Sequence, residues 1–180
     1  MMDSLSDYIL SEKEFSKKLE IMSYLKKKTG IFYDNSVIFK ALIVKLFIEV
    51  MRLEVDENLV VTAMLLCQCK KISNSQDKNK VENYAKESAE YLISLGFDRD
   101  FCLICEQHNR YSKSAPRKKE SDILELADQF GGMLMDRPER IALPLEEAFS
   151  ILENRNLKGC NNVFLNDFKR FIDIVKEINI

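Results

Sequence analysis

Glycine and proline, the residues that most often punctuate regular structure, occupy only five and three of this chain's 180 positions. A sandwich or barrel needs a turn signal roughly every 8–12 residues, which so few breakers do not supply. Helices are therefore the expected elements. The length suits one domain of about 100–200 residues with a sizeable core. With 46% hydrophobic and 31% charged residues, the chain belongs with folded rather than disordered sequences.

A second scarcity bears on function. His108 is the only histidine. One imidazole excludes a poly-histidine metal cage and any catalysis that needs two histidines. Twenty-seven Lys and Arg against 29 Asp and Glu give a net charge of −2, so no overall basic field invites nucleic acid. Five cysteines stand at 67, 69, 102, 105 and 160. The C-x-C pair (Cys67, Cys69) and the C-x-x-C pair (Cys102, Cys105) have spacings met in zinc and redox sites. C-x-C on a helix directs its thiols to different faces, however, and "FCLICEQH" lacks the Gly or Pro knuckle of such motifs. Buried, reduced thiols are expected. The N-terminal "MMDSLSDY" is acidic, and no run of about 18 uncharged apolar residues offers a membrane span. A soluble, cytoplasmic protein with no membrane partner is expected.

Helical periodicity runs along the whole chain. Ser11 and Glu14 form a candidate capping box ahead of Phe15, Leu19, Met22 and Leu25, a helical face that stops near Gly30. From Asn35 to Leu53 the apolar run is interrupted mainly by Lys40, Lys45, Glu49 and Arg52, which the spacing assigns to one wetted stripe. Asp56 is placed to cap the next helix, "LVVTAMLLCQC", and "KKISNSQDKNK" reads as a polar loop. Val81, Tyr84, Ala85, Ser88, Leu92 and Leu95 form a further face, ended by Gly96. Asp98 caps a helix whose apolar face is Phe101, Ile104, Cys105 and an inward-facing His108. A basic loop follows, with five positive charges in ten residues (Arg110, Lys113, Arg117, Lys118, Lys119), read as solvated. Ile123, Ala127, Phe130 and Leu134 line the next helix, Pro144 starts another, and Phe168, Phe171, Ile172, Val175 and Ile178 mark the last. An all-α bundle of seven or eight helices in a single domain is predicted.

The segment "ADQFGGMLMDRPERIALPLEEAFSIL", residues 127–152, closely resembles the C-terminal stretch of HD-GYP-type HD domains. There an Asp-bearing helix leads to a D-R-P-x-R turn and an E-E-A helix, matched here by Asp128, Asp136, Arg137, Pro138, Arg140, Glu146, Glu147 and Ala148. Upstream, "YAKESAEYLISLGF" is similar to the family's H-P-x-x-G-A-E-x-L…L-G-F segment, and "VVTAMLLCQCKK" stands at its A-A-L-L-H-D-I-G-K motif. Asn35 precedes Cys67 by 32 residues, the family's spacing from the start of its first helix to the HD pair. The tail "NLKGCNNVFLNDFKRFIDIV" resembles the family's closing segment. The likeness spans about residues 35–180 and leaves 1–34 as an N-terminal helical extension.

What the resemblance implies is a metal-dependent phosphohydrolase fold, in which His and Asp ligands hold metal ions that activate water. Here the HD pair is Cys67 and Gln68, the histidine of the H-P segment is Tyr84, and the H-H pair is His108 and Asn109. Only His108 and Asp128 keep a ligand type. Lys71, at the end of the HD-x-G-K element, also remains. A di-metal site needs several converging imidazoles and carboxylates, and Gln, Asn and a protonated phenol are poor substitutes. Cys67, His108 and Asp128 could still compose a three-ligand zinc site. The plainer reading of His108 is a neutral core histidine partnered by Asp128. Asp136, Arg137 and Arg140 read as an ion-pair and capping cluster, and Lys71 as a solvated loop start.

The sequence therefore predicts a vestigial pocket of Cys67, Gln68, Lys71, Tyr84, His108, Asn109 and Asp128, with no catalytic residue, metal or cofactor. The function expected is a regulatory or protein-interaction module that binds a partner protein or itself. Two alternatives stand beside it: a nucleotide or phosphorylated ligand bound without hydrolysis, and a phosphohydrolase with a reduced metal site.

Overall fold

The computed structural model describes residues 4–72, 78–109, 112–138, 140–157 and 161–178. Among them run nine helices and no sheet: α1 (Leu5–Ser11), α2 (Phe15–Thr29), α3 (Asn35–Met51), α4 (Glu57–Leu66), α5 (Lys78–Ser94), α6 (Arg99–Gln107), α7 (Lys119–Met133), α8 (Leu145–Leu157) and α9 (Leu165–Ile178). The all-α class is as predicted. The helix beyond the seven or eight expected is α1, which the sequence analysis left unassigned.

The capping box of this N-terminal region lies at α1 rather than at Ser11 and Glu14. The Ser4 hydroxyl accepts from the Asp7 amide, and the Asp7 carboxylate in turn accepts from the Ser4 amide. Ser11 ends α1 and donates back to the Tyr8 carbonyl, while Glu14 precedes α2 without a side-chain cap. Asp56 and Asp98 cap α4 and α6 as their spacing indicated. Gly30 and Gly96 follow α2 and α5 at φ 70° and 92°, a backbone region that glycine enters without the Cβ penalty.

The core centres on α3, α4 and α7. Beyond Glu57 and Asn58 in its first turn, helix α4 is apolar all round apart from Thr62, and every residue from Val60 to Leu66 is buried. Helix α3 contributes Val37, Ala41, Val44 and Phe47, and α7 contributes Ile123, Leu124, Leu126, Ala127 and Phe130. Phe168 of α9 meets Phe47 and Phe130 edge-on, with ring centroids 4.9 and 5.2 Å apart. Truncating a phenylalanine so placed costs about 3–5 kcal/mol, which is why this contact holds α9 to the bundle. Residues before Asn35 share the same core: Ile9, Met22 and Leu25 are buried, with Phe15 and Leu19 packed against them.

Candidate functional site

Four helices bring the residues of interest to one place. Cys67 and Gln68 follow the end of α4, Tyr84 lies on α5, His108 and Asn109 leave α6, and Asp128 lies on α7. Each element arrives by an ordinary local rule. The run "LVVTAMLL" buries α4 end to end, so the two residues after it are delivered inside the molecule. The strongly amphipathic α6 turns Phe101, Ile104 and Cys105 inward and carries His108 with them.

His108 is 1% exposed and both ring nitrogens are engaged. Nδ1 lies 2.5 Å from the Cys105 carbonyl, which can only accept, so Nδ1 carries the proton. Nε2 then accepts from the Tyr84 hydroxyl at 3.0 Å. Asn109 is hydrogen-bonded to Tyr84 in turn. Burial lowers the His108 pKa below 6.5 against the attraction of Asp128, keeping the ring neutral at pH 7. Burial also pushes the Tyr84 hydroxyl well above 10. The expected His108–Asp128 partnership gives way here to a Tyr84–His108 pair, because Asp128 is committed elsewhere.

Its partner is Lys40, which the sequence assigned to a wetted stripe and the structure buries to 1% exposure. Lys40 Nζ donates to Asp128 Oδ1 at 2.7 Å and to Gln68 Oε1 at 3.4 Å. The Gln68 amide nitrogen donates to the same Asp128 oxygen. Burial acts to raise the Asp128 pKa, but Lys40, followed by His108 and Lys71, outweighs it and holds the carboxyl well below its ordinary 3.8. Lys45, Glu49 and Arg52 do face outward. Lys40 departs from them because it stands three residues after Val37 and four before Val44, on the core ladder of α3.

Lys71 is half-buried rather than a solvated loop start. Its ammonium stands 5.7 Å from the ring centres of both Phe32 and Tyr84. Arg137 approaches from α7's end: a Cβ on Gly132 would come within 2.6 Å of Arg137 Nη2, so the glycine leaves room for the guanidinium. The expected ion-pair cluster around it does not form among the described residues. Arg140 instead caps α7 through the Gly132 and Met133 carbonyls, each at 2.8 Å, and Asp136 accepts from the Ala142 amide.

The metal centre that the sequence resemblance implied was tested against these donors, and they do not fit it. Among the described residues no three His, Cys, Asp or Glu side chains gather so as to hold a metal ion. The His108 lone pair is taken by Tyr84. The fully buried Cys67 thiol is directed to the Met64 carbonyl at 3.6 Å, and burial, reinforced by Asp128, raises its pKa well above 9. The three-ligand zinc alternative on Cys67, His108 and Asp128 is therefore corrected. Cys67, Cys69, Cys102 and Cys105 are free and buried; Cys160 lies outside the described residues.

The basic loop is exposed at Lys113, Arg117 and Lys119, as expected, but it is also tied down. Arg117 is held by Asp122 at 2.8 Å and Glu125 at 2.5 Å, both of them buried carboxylates. Gln107, a residue the sequence analysis passed over, pins the loop by donating to the Ser114 and Pro116 carbonyls and accepting from the Lys118 amide. Its only sequence signal is its place beside His108 in "CEQH". Arg110 and Tyr111 lie outside the described residues. No helix among the described residues is long and apolar enough to cross a membrane.

No protein-family model, curated protein or solved structure matches this chain. Its functional reading rests on this geometry and on the sequence motifs.

Proposed function

We propose that this chain is a catalytically inactive HD-type domain that serves as a regulatory or protein-interaction module. The observation that carries the reading is the closed polar centre. Six residues aligned with the family's ligand positions gather there, and each makes a hydrogen bond to another side chain or backbone group of the same chain. Metal-assisted hydrolysis needs several ligands converging with free lone pairs, and here the Asp128 Oδ1 and His108 Nε2 positions are spent on Lys40, Gln68 and Tyr84. The interaction half of the reading is favoured by Leu42, Leu46 and Val50. They recur every fourth residue along one side of α3 and are 40%, 41% and 41% exposed.

The test pairs an activity assay with an assembly measurement. Bis(p-nitrophenyl) phosphate with Mn2+, Mg2+, Fe2+ or Zn2+ is expected to show no turnover above the protein-free control. Light scattering and affinity capture are expected to find a dimer or a retained partner. Metal-dependent turnover that Asp128→Asn abolishes contradicts the inactive reading, and a strict monomer with no partner contradicts the interaction reading.

A second reading is favoured by Lys71 and Arg137. No carboxylate among the described residues forms an ion pair with either, and both stand at the rim of the Tyr84–Asp128 centre. Two such cations suit a nucleotide or other phosphorylated ligand bound without hydrolysis. Thermal shift against mononucleotides and cyclic dinucleotides tests it, since binding to the native state raises the melting temperature. A shift that Lys71→Ala removes supports this reading; no shift with any of them removes its basis.

A further inference from the structure

The misfit between the implied metal and the residues present has a positive side, and it lies in Lys40. Asp128 keeps its carboxylate, 20% exposed, against the buried Lys40 and Gln68, and an uncompensated charge so largely enclosed is costly. Across the bundle from α3, the Lys40 ammonium reaches that carboxylate at 2.7 Å, with Gln68 Oε1 as a longer second acceptor at 3.4 Å. Its stem passes against α7 at Gly131, where a Cβ would come within 2.9 Å of Lys40 Cγ. Any larger residue at 131 would press on the stem that carries the ammonium to its seat.

Charge and hydrogen bonding close around this arrangement. One ammonium faces one carboxylate, and the position beside them is the neutral Gln68. A second carboxylate at 68 would leave the group one negative charge in excess. The Gln68 amide instead uses both its ends, accepting from Lys40 through Oε1 and donating to Asp128 through Nε2. Lys40 and Gln68 therefore act as a matched pair.

We propose that Lys40 is a tethered cation, seated on Asp128 and Gln68 where a metal-loaded HD centre would carry a divalent ion, which keeps the centre closed and complete without metal. The equivalence with a metal position rests on the HD-type reading proposed above; the seat itself rests on Lys40, Gln68, Asp128 and Gly131. An ammonium supplies a single positive charge, enough for the one Asp128 carboxylate, and a fixed hydrogen-bond geometry. It has no vacant coordination position on which to polarise water, so the seat preserves shape without hydrolytic chemistry. A divalent ion entering the wild-type centre meets a positive charge already in place.

The experiment compares wild type, Lys40→Ala and Lys40→Ala/Asp128→Asn by thermal unfolding. Each is scanned with Mn2+, Zn2+ and n-propylammonium, whose atoms match those deleted, and with n-propanol and NaCl as controls. Wild type is expected to be indifferent to all of them and to chelator. Lys40→Ala is expected to melt lower and to recover by about 3 °C or more with propylammonium or a divalent ion, but not with the controls. The double variant is expected to lose that recovery. A Lys40→Ala protein blind to every cation overturns the proposal, as does recovery that persists without the Asp128 charge, or a chelator-reversible gain in wild type. Should Lys40→Ala not fold alone, refolding with and without the same cations is read by helical circular dichroism, and Asp128-dependent recovery or its failure decides in the same way. Turnover by wild type in the phosphodiester assay would defeat the inactive reading while leaving the seat to be judged by Lys40→Ala, so the two failures are distinguishable.

Discussion

Lys18 and Lys40 are equally buried, each 1% exposed, but they stand in different electrical surroundings. Lys18 on α2 donates to the Ile9 carbonyl and the Thr62 hydroxyl, both at 2.7 Å and both neutral. Lys40 on α3 donates to a carboxylate. The Lys18 ammonium tethers the last turn of α1, where helix carbonyls lack partners, with Asn58 doing the same at the Leu10 carbonyl. Burial drives the Lys18 pKa down to about 8, only partly countered by Glu12 and Asp56. One lysine is thus a clasp that stays charged at the expense of stability. The other is half of a charge pair that the surrounding residues are shaped to hold.

The contrast is tested most severely by removing each charge while keeping the stem. Lys40→Met leaves the largely enclosed Asp128 carboxylate with the Gln68 amide but no cation seated on it, and unfolding in urea should show a loss of about 2–3 kcal/mol. Lys40→Met/Asp128→Leu should recover most of it, because both charges then leave together. Next in size is Gly131→Ala, whose Cβ would press on Lys40 Cγ at 2.9 Å and Ile43 Cδ1 at 3.1 Å. A loss of about 1–2 kcal/mol is expected from crowding, net of the helix-propensity gain. Lys18→Met should stay within about 1 kcal/mol of wild type at pH 7, since lost hydrogen bonds and relieved desolvation oppose each other. Smallest is Gly132→Ala: its Cβ meets only the mobile end of exposed Arg137, so the stability should be unchanged or slightly higher.

The two lysines also separate along the pH axis. Asp128 has a lower pKa folded than its ordinary 3.8, so its contribution is full above about pH 4 and is lost as pH falls below that range. Lys18 has a folded pKa of about 8 against an ordinary 10.5. Between those values the unfolded chain binds the extra proton, so the Lys18 contribution to stability rises as pH climbs from about 8 toward 10.5. Urea unfolding across pH should find the acid limb flattened in Asp128→Asn and the alkaline contribution removed in Lys18→Met.

The same comparison says what the sequence could disclose. Helix class, the Asp56 and Asp98 caps and the inward turn of His108 were legible because each depends on local periodicity and a short-range hydrogen bond. The gathering of Cys67, Gln68, Tyr84, His108, Asn109 and Asp128 followed from motif order along the chain. The internal wiring was not legible, since whether Asp128 meets His108 or Lys40 is decided by packing across α3, α4 and α7. Lys18 and Lys40 share one overlooked signal. Each stands three or four residues from buried apolar neighbours, Lys18 with Met22, Lys40 with Val37 and Val44, where a lysine on a wetted face would break step. Charge type argued for solvent, and register argued for the core. Register prevailed because a carboxylate or carbonyl was within reach in each case.

The pairing of Lys40 with Asp128 is tested most directly by carbon-detected NMR titration of the Asp128 carboxyl in wild type and Lys40→Met. In wild type the carboxyl midpoint should lie well below 3.8, and in Lys40→Met, with burial no longer opposed by the seated ammonium, it should move up markedly. A midpoint near 3.8 in both proteins would contradict a Lys40 ammonium seated on Asp128.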